Sequence, residues 1–393
     1  MSPAPSDVVV VGIGADGWDG LSPAAQAAIR SARVLMGSTR QLDLVPRDLG
    51  RTGDSSAPGD QERVAWPSPL VPALPALFEK YRDVCVLASG DPMFHGIGTT
   101  LVRLLGSRVS VIPHPSSVSL ACARLGWALN EVEVVSLVGR SPDLLRPVLT
   151  PGRRVLVLGG DPATVAALAG PITVLEQLGG PAERVYRWSG EDADPLCVIA
   201  LEPTGDAYSR VPGLPDDAYE TDGQLTKREV RAISLSRLAP LPGQLLWDVG
   251  AGSGSIAIEW ARTHPTCRAI AVEQSAERAE RIVRNAASLG VPGVDVHIGR
   301  APEALEGLEK PDAIFIGGGL TVPGVVQACW DALASGGRLV VNAVTLESEA
   351  VVAQWYARLG GDLVRIAVNR GSAVGGFTGW RPHMPVTTWS VLK

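Results

Sequence analysis

The chain has 393 residues, 46% of them hydrophobic and 19% charged, with 44 glycines, 31 prolines and a formal net charge of −6. That length predicts two domains, and the acidic balance excludes a nucleic-acid surface, which is normally basic. No apolar run nears the ~18 residues of a membrane span, the first strand begins too early for a signal peptide, and Cys85, Cys122, Cys197, Cys267 and Cys329 form no C-x-x-C pair. The composition therefore predicts a cytoplasmic α/β enzyme with no metal, no membrane and no nucleic-acid partner.

Apolar strands alternate with amphipathic helices in both halves, which predicts parallel sheets. Val8-Val-Val-Val11 reads as a strand entering a glycine turn at Gly12 and Gly14. Alone, that turn is nearly as well explained by an ordinary loop. Val84–Gly98 is sharper, because a strand delivers Ser89-Gly-Asp-Pro92 at its carboxyl end, where ligands bind in open α/β sheets. Met93 and His95 follow it directly. Val111–Ser119 repeats the arrangement, with Ser116 and Ser117 at a helix start, placed to meet a ligand or simply to cap. Residues 203–220 are rich in Pro, Gly and Asp and lack periodicity. The expected division is a domain at 1–205, a linker at 206–220 and a domain at 221–393.

In the second half, Leu225–Leu238 is predicted as a helix with a capping box, Thr226 as N-cap and Glu229 reaching back. Strands are expected at Leu245–Val249, Arg268–Glu273, Val294–Ile298, Asp312–Ile316 and Arg338–Asn342, with helices between them. Leu363–Val368 and Val386–Leu392 would close the sheet as an antiparallel hairpin. Between those two, Gly371–Pro385 is glycine-rich and carries Phe377, Trp380 and His383, which reads either as a lid or as an inert hairpin loop.

Asp248-Val-Gly-Ala-Gly-Ser-Gly-Ser255 is the most informative stretch. A glycine turn between a buried strand and a helix lets a ligand approach the backbone N–H groups. Glu273, at the end of the next strand, is well placed for a ribose hydroxyl pair. A dinucleotide fingerprint would need a third glycine where Ser255 stands. The stretch instead resembles motif I of class I methyltransferases, which use S-adenosylmethionine (SAM). An NAD-dependent oxidoreductase and a SAM-binding regulator without turnover are the alternative readings.

Val11-Gly-Ile-Gly14, Ser89-Gly-Asp-Pro92 and Pro115-Ser-Ser117 resemble three motifs of the tetrapyrrole methylase family. Ala15-Asp16-Gly17 departs from its usual Gly-Pro-Gly. Thr173–Arg184 resembles the strand and turn of that family's second subdomain. The resemblance implies a tetrapyrrole methylase fold of two α/β subdomains, followed by a Rossmann-like class I doubly wound sheet. That pairing is similar to the bifunctional, decarboxylating corrinoid methyltransferases of cobalamin biosynthesis. Thr226-Lys-Arg-Glu229, Gly299–Leu305, Phe315-Ile-Gly-Gly318 and Asn342–Leu346 carry the C-terminal likeness, with Arg300 as a departure.

The resemblance implies SAM sites in both domains and a tetrapyrrole substrate, precorrin-6B. It implies methylation at carbon 5 by the N-terminal domain, and methylation at carbon 15 with decarboxylation of the ring C acetate by the C-terminal domain. It further implies a homo-oligomer. The expected cofactor residues are Thr226, Gly250, Ala251, Gly252, Ser253, Gly254, Glu273 and Ala301 in one site. In the other they are Gly12, Gly14, Gly90, Asp91, Met93, Ser116 and Ser117. No catalytic acid–base pair is singled out, because SAM carries its own leaving group and the protein mainly positions. Arg228, Arg231, Arg370 and Arg381 are the candidates for holding substrate carboxylates.

Overall fold

A computed structural model of the chain describes residues 7–49, 61–205 and 207–393. These fall into two compact units, one within 1–140 and 151–204, the other within 141–150 and 205–393.

The first unit holds two sheets. One is parallel, with strands β1 (Val8–Ile13), β2 (Val34–Gly37), β3 (Glu62–Ala65), β4 (Val84–Ser89) and β5 (Val109–Ile112) in the order β3-β2-β4-β1-β5. Near-continuous apolar runs in β1 and β4 are what a strand covered on both faces requires. Val11, Ile13 and Leu87 enter the core on one face, and Val8, Val10 and Val86 enter that on the other. The second sheet joins β6 (Val132–Ser136), β7 (Arg154–Leu158), β8 (Thr173–Glu176), β9 (Arg184–Arg187) and β10 (Cys197–Leu201) in the order β6-β7-β10-β8-β9. Only β6 and β7 pair in parallel there; the other pairs are antiparallel.

The second unit is built on β11 (Leu245–Val249), β12 (Arg268–Glu273), β13 (Asp295–Ile298), β14 (Ala313–Ile316), β15 (Arg338–Ala343) and β16 (Asp362–Ile366). A separate hairpin, β17 (Asn369–Val374) with β18 (Phe377–Pro382), precedes the last strand, β19 (Val386–Leu392). The sheet order is β13-β12-β11-β14-β15-β19-β16. The expected terminal pair is present, but β19 sits between β15 and β16 and runs antiparallel to both. Strand order reverses at β11, which opens a crevice at its carboxyl end.

The predicted capping box at Thr226 is not formed. The helix runs Arg228–Leu238, its N-cap is Lys227, and no side chain caps it. The physical reason lies in Glu229, which pairs outward with Arg370 instead of reaching back, while Arg231 Nη1 takes the Thr226 carbonyl at 2.5 Å. Arg231 is completely buried and donates through Nε to Glu259 at 2.5 Å. Glu259 also accepts from the Gly213 and Leu214 amides and the Tyr219 hydroxyl.

The segment read as a linker is therefore strapped down. Leu214 and Tyr219 are buried in the second unit's core, and Asp206 lies outside the described residues. A sequence poor in periodicity can still be ordered when buried charges hold its backbone groups.

Removing one partner of a buried, hydrogen-bonded pair strands the other charge and costs about 3–5 kcal/mol. Glu259→Gln is expected to lower the unfolding free energy of the second unit by that order, read as a lower urea midpoint. Replacing both partners, as Arg231→Met with Glu259→Leu, should recover part of the loss. Equal midpoints for wild type and Glu259→Gln would contradict this account.

Candidate active site

In the second unit, one cavity of about 530 Å³ opens at the carboxyl ends of the parallel strands, within the size range of small-molecule sites. Thr226, Gly250, Ala251, Gly252, Glu273 and Ala301 all line it. Ser253 and Gly254 do not. Ser253 is buried and donates to the Gln224 carbonyl at 2.9 Å, and a Cβ on Gly254 would strike Ile282. These two residues anchor the turn from beneath.

The turn needs glycine for two separate reasons. Gly250 has φ of +71°, and a Cβ there would lie 2.6 Å from the Gly318 Cα. The glycine run after β14 thus packs directly on the turn after β11. Glu273 accepts from the Gly252 amide at 2.9 Å and from the Ser275 amide at 3.0 Å. Its carboxylate is thereby fixed at the cavity edge with lone pairs to spare.

Asp248 lies beneath the turn, completely enclosed. Burial pushes its carboxyl up to about 7; the Ala257 amide at 3.0 Å opposes this, and the nearby Glu273 charge adds to it. The cavity floor therefore holds a carboxyl that changes charge near neutrality.

In the first unit, the loops after β1, β4 and β5 converge. A Cβ on Gly12 would lie 2.1 Å from the Gly90 carbonyl oxygen and 2.7 Å from the His114 amide. The Gly90 amide donates to the Ile13 carbonyl at 3.0 Å. A Cβ on Gly90 would stand 3.4 Å from the Ser116 Cα and 3.5 Å from the Ser117 amide. Gly12, Gly14, Gly90, Asp91, Ser116 and Ser117 are brought together at the carboxyl ends of β1, β4 and β5, with Met93 half-exposed beside them. Ser116 caps the helix Ser117–Leu125 through the Ser119 amide, and Asp91 accepts from the Met93 amide at 2.8 Å. His95, beside the Gly-Asp-Pro motif, is exposed and packs edge-on against Phe94.

Of the four arginine candidates, Arg231 is spent on Glu259 and Arg370 on Glu229, while Arg228 and Arg381 are exposed. The hairpin carrying Phe377 and Trp380 leaves both rings exposed; in the loop that follows, His383 and Met384 line the cavity.

Sequence reasoning placed His383 in a possible lid, and it lines the cavity; it gave Asn342 no site role, and in the first unit it missed His114 and Arg40. His114 Nε2 lies 3.3 Å from Asp16, the residue that breaks the expected Gly-Pro-Gly. Arg40 donates to the Ser89 hydroxyl at 2.8 Å, beside Gly90. Burial pulls its guanidinium below the ordinary value, opposed by Asp194. The departure at Asp16 was the available signal for His114; nothing in the local pattern marks Arg40.

Two family models match the chain. One describes tetrapyrrole (corrin/porphyrin) methylases and covers residues 7–194; the other describes a precorrin methyltransferase domain and covers 217–393. A precorrin-6Y C(5,15)-methyltransferase [decarboxylating] of Mycobacterium tuberculosis is 47% identical, over 98% of this chain and 100% of its own length. The protein of the same name from a Sinorhizobium species is also 47% identical, over 98% of this chain and 96% of its own. A probable cobalt-precorrin-6B C(15)-methyltransferase (decarboxylating) of Pyrobaculum calidifontis is 37% identical over 42% of this chain and 89% of its own. With glycine turns at strand ends in both units and end-to-end relatives at this identity, the chain belongs to the precorrin-6Y C(5,15)-methyltransferase (decarboxylating) family.

Proposed function

We propose that the two units carry separate SAM sites and divide one biosynthetic task between them. The chain is a SAM-dependent methyltransferase of cobalamin biosynthesis that methylates its precorrin at carbons 5 and 15 and decarboxylates it. In our reading the first unit serves carbon 5. The second serves carbon 15 and removes the ring C acetate carboxyl. The observation that carries this is the gathering of glycine turns at strand ends in both units, on unrelated sheet orders. The Pyrobaculum relative, with carbon 15 and decarboxylation in its name and less than half of this chain matched, supports a separable second activity.

The second unit's residues fit the cofactor. Glu273 would hold the ribose hydroxyls, the Gly250–Gly252 backbone would pass along the methionine part, and Thr226 and Ala301 would wall the site. Asp248, when ionised, would favour a cation above it. When bound, SAM supplies an activated methyl group with its own leaving group. The protein's part is to exclude water and to orient the accepting carbon in line. In the first unit, Gly12, Gly14, Gly90, Asp91, Met93, Ser116 and Ser117 would hold the other cofactor. Arg40, half-buried with a neutral hydroxyl as its hydrogen-bond partner, is our candidate for a substrate carboxylate there.

We also read the enzyme as cytoplasmic and self-associating. Free cysteines, four of them buried, support the first. Exposed Phe377, Trp380 and Val374 on the hairpin support the second.

Gly252→Asp places an acid in the methionine path and is expected to abolish carbon 15 methylation while carbon 5 methylation continues. Gly12→Ala, whose Cβ would overlap the Gly90 carbonyl, should do the reverse. Mass and NMR analysis of the product distinguishes them, and equal loss of both methylations in either variant would sink the division.

The Asp248 carboxyl gives a second test. Its folded value of about 7 lies above the ordinary aspartate value of 3.8, so the folded state holds an extra proton between the two. Folding stability from this group is therefore highest at low pH, falls as pH rises toward 7 and is flat above. Cation binding has the opposite sign, because it favours the ionised form. SAM affinity of the second unit should rise between about pH 6 and 8, and Asp248→Asn should remove that rise. A flat wild-type profile would contradict the assignment.

A further inference from the structure

The cavity of the second unit has two chemically different halves. On the side of β12 and β13 it is lined by charged groups, among them Glu273, Arg278 and Arg300. On the side of β15, β19 and β16 the lining is Val344, Ile366, Val368, Met384 and Val386, which are all apolar. Two polar side chains enter that half, His383 and Asn342.

Asn342 is held with unusual definition. It sits at the carboxyl end of β15, where ligands meet an open α/β sheet. Its Nδ2 donates to the Ser234 hydroxyl at 2.9 Å, and its Oδ1 accepts from the Thr388 hydroxyl at 2.7 Å. Ser234 and Thr388 are both completely buried. Ser234 spends its own proton on the Val230 carbonyl at 2.9 Å, so it can only accept from Asn342. The donor and acceptor roles are therefore fixed, and the amide cannot flip. One Nδ2–H and one Oδ1 lone pair stay uncommitted among the described residues. A partly buried side chain, anchored at both ends and left with a spare donor beside an apolar wall, is a pre-organised contact.

We infer that Asn342 holds the acetate carboxylate that the second unit removes, through a neutral amide instead of a cation. This rests on the assignment of decarboxylation to that unit. The choice of a neutral donor follows from the chemistry. As the bond between the methylene carbon and the carboxylate carbon breaks, its electron pair moves into the conjugated macrocycle and carbon dioxide leaves. A proton from water then converts the methylene to a methyl group. Negative charge thus departs from the carboxylate in the transition state. A guanidinium there would stabilise the starting state more than the transition state, and so slow the reaction. One amide N–H orients the group, and the apolar wall around it favours loss of the charge. Arg278, whose Nε lies 2.8 Å from Asp222, is already engaged, and it belongs to the other half of the cavity.

The test uses the intact chain with SAM and the precorrin substrate, following methyl gain and carbon dioxide loss separately by mass spectrometry. Asn342→Ala is expected to slow carbon dioxide loss by about 10- to 100-fold, because the carboxylate is no longer held in the orientation from which the bond breaks. Carbon 5 methylation, and SAM affinity by calorimetry, should stay at the wild-type level, and a product that keeps its carboxyl should accumulate. Thr388→Val, which frees the amide without touching substrate, should shift the same ratio less, and Thr388→Ser should restore it. Asn342→Asp covers the case of an unfolded Ala variant; a charge opposed to the acetate should raise KM for the substrate. An unchanged ratio of carbon dioxide loss to methyl gain in Asn342→Ala would overturn the role. So would loss of SAM affinity in that variant, which would place Asn342 in the cofactor site. A wild-type chain that methylates carbon 15 and releases no carbon dioxide would instead remove the parent assignment, and this role with it.

Discussion

The second unit's cavity depends on a carboxylate buried away from the surface. Glu259 is buried, and its charge is met by Arg231 and by two backbone amides from the preceding segment. Arg231 in turn takes the carbonyls of Leu214 and Thr226. Together they close residues 213–226 over the helices and set one wall of the cavity. Asn285 extends the same lock, joining the Glu220 backbone to the Ser253 carbonyl in the glycine turn. A pair this deeply buried is expensive in desolvation and adds little net stability. Its value here is positional, because it fixes where Gln224, Thr226 and Lys227 stand relative to the turn.

A second constraint is shared by two sheets of different strand order. In each, a strand ends in a loop that must pass within backbone distance of a neighbouring loop. Gly12 against Gly90 does this in the first unit, and Gly250 against Gly318 in the second. Any side chain would force the loops apart. Both folds thus leave backbone amides and carbonyls at a strand-end crevice, a surface suited to a ligand that is itself part cation and part polar. The side chains beside the two crevices differ: Asp248 and Glu273 in one unit, Asp16, His114 and Arg40 in the other.

Local pattern made much of this legible. The strands of the second unit follow apolar runs bounded by glycine turns, and Ser275 caps its helix as the sequence indicates. The glycine turn and Glu273 could be read because backbone geometry and strand ends leave a local signature. Long-range pairing left none. The Thr226 capping box failed because Glu229, which would reach back, is taken by the distant Arg370, and the helix starts one residue later with Lys227 as its cap. The linker reading failed at Leu214 and Tyr219, because their partner Glu259 lies some forty residues away. Ser253 looked like a ligand contact and is instead an anchor. Asn342 looked like strand, and its anchors, Ser234 and Thr388, come from distant elements. Residues whose role depends on tertiary partners carry no mark in their own neighbourhood.

The central claim is that one chain holds two independent cofactor sites. Titration calorimetry of the intact chain with S-adenosylhomocysteine tests it most directly, with Gly252→Asp and Gly12→Ala as paired controls. The account requires two molecules bound per chain, and one in each variant. A single molecule bound by the wild type, abolished by one substitution and untouched by the other, would contradict it.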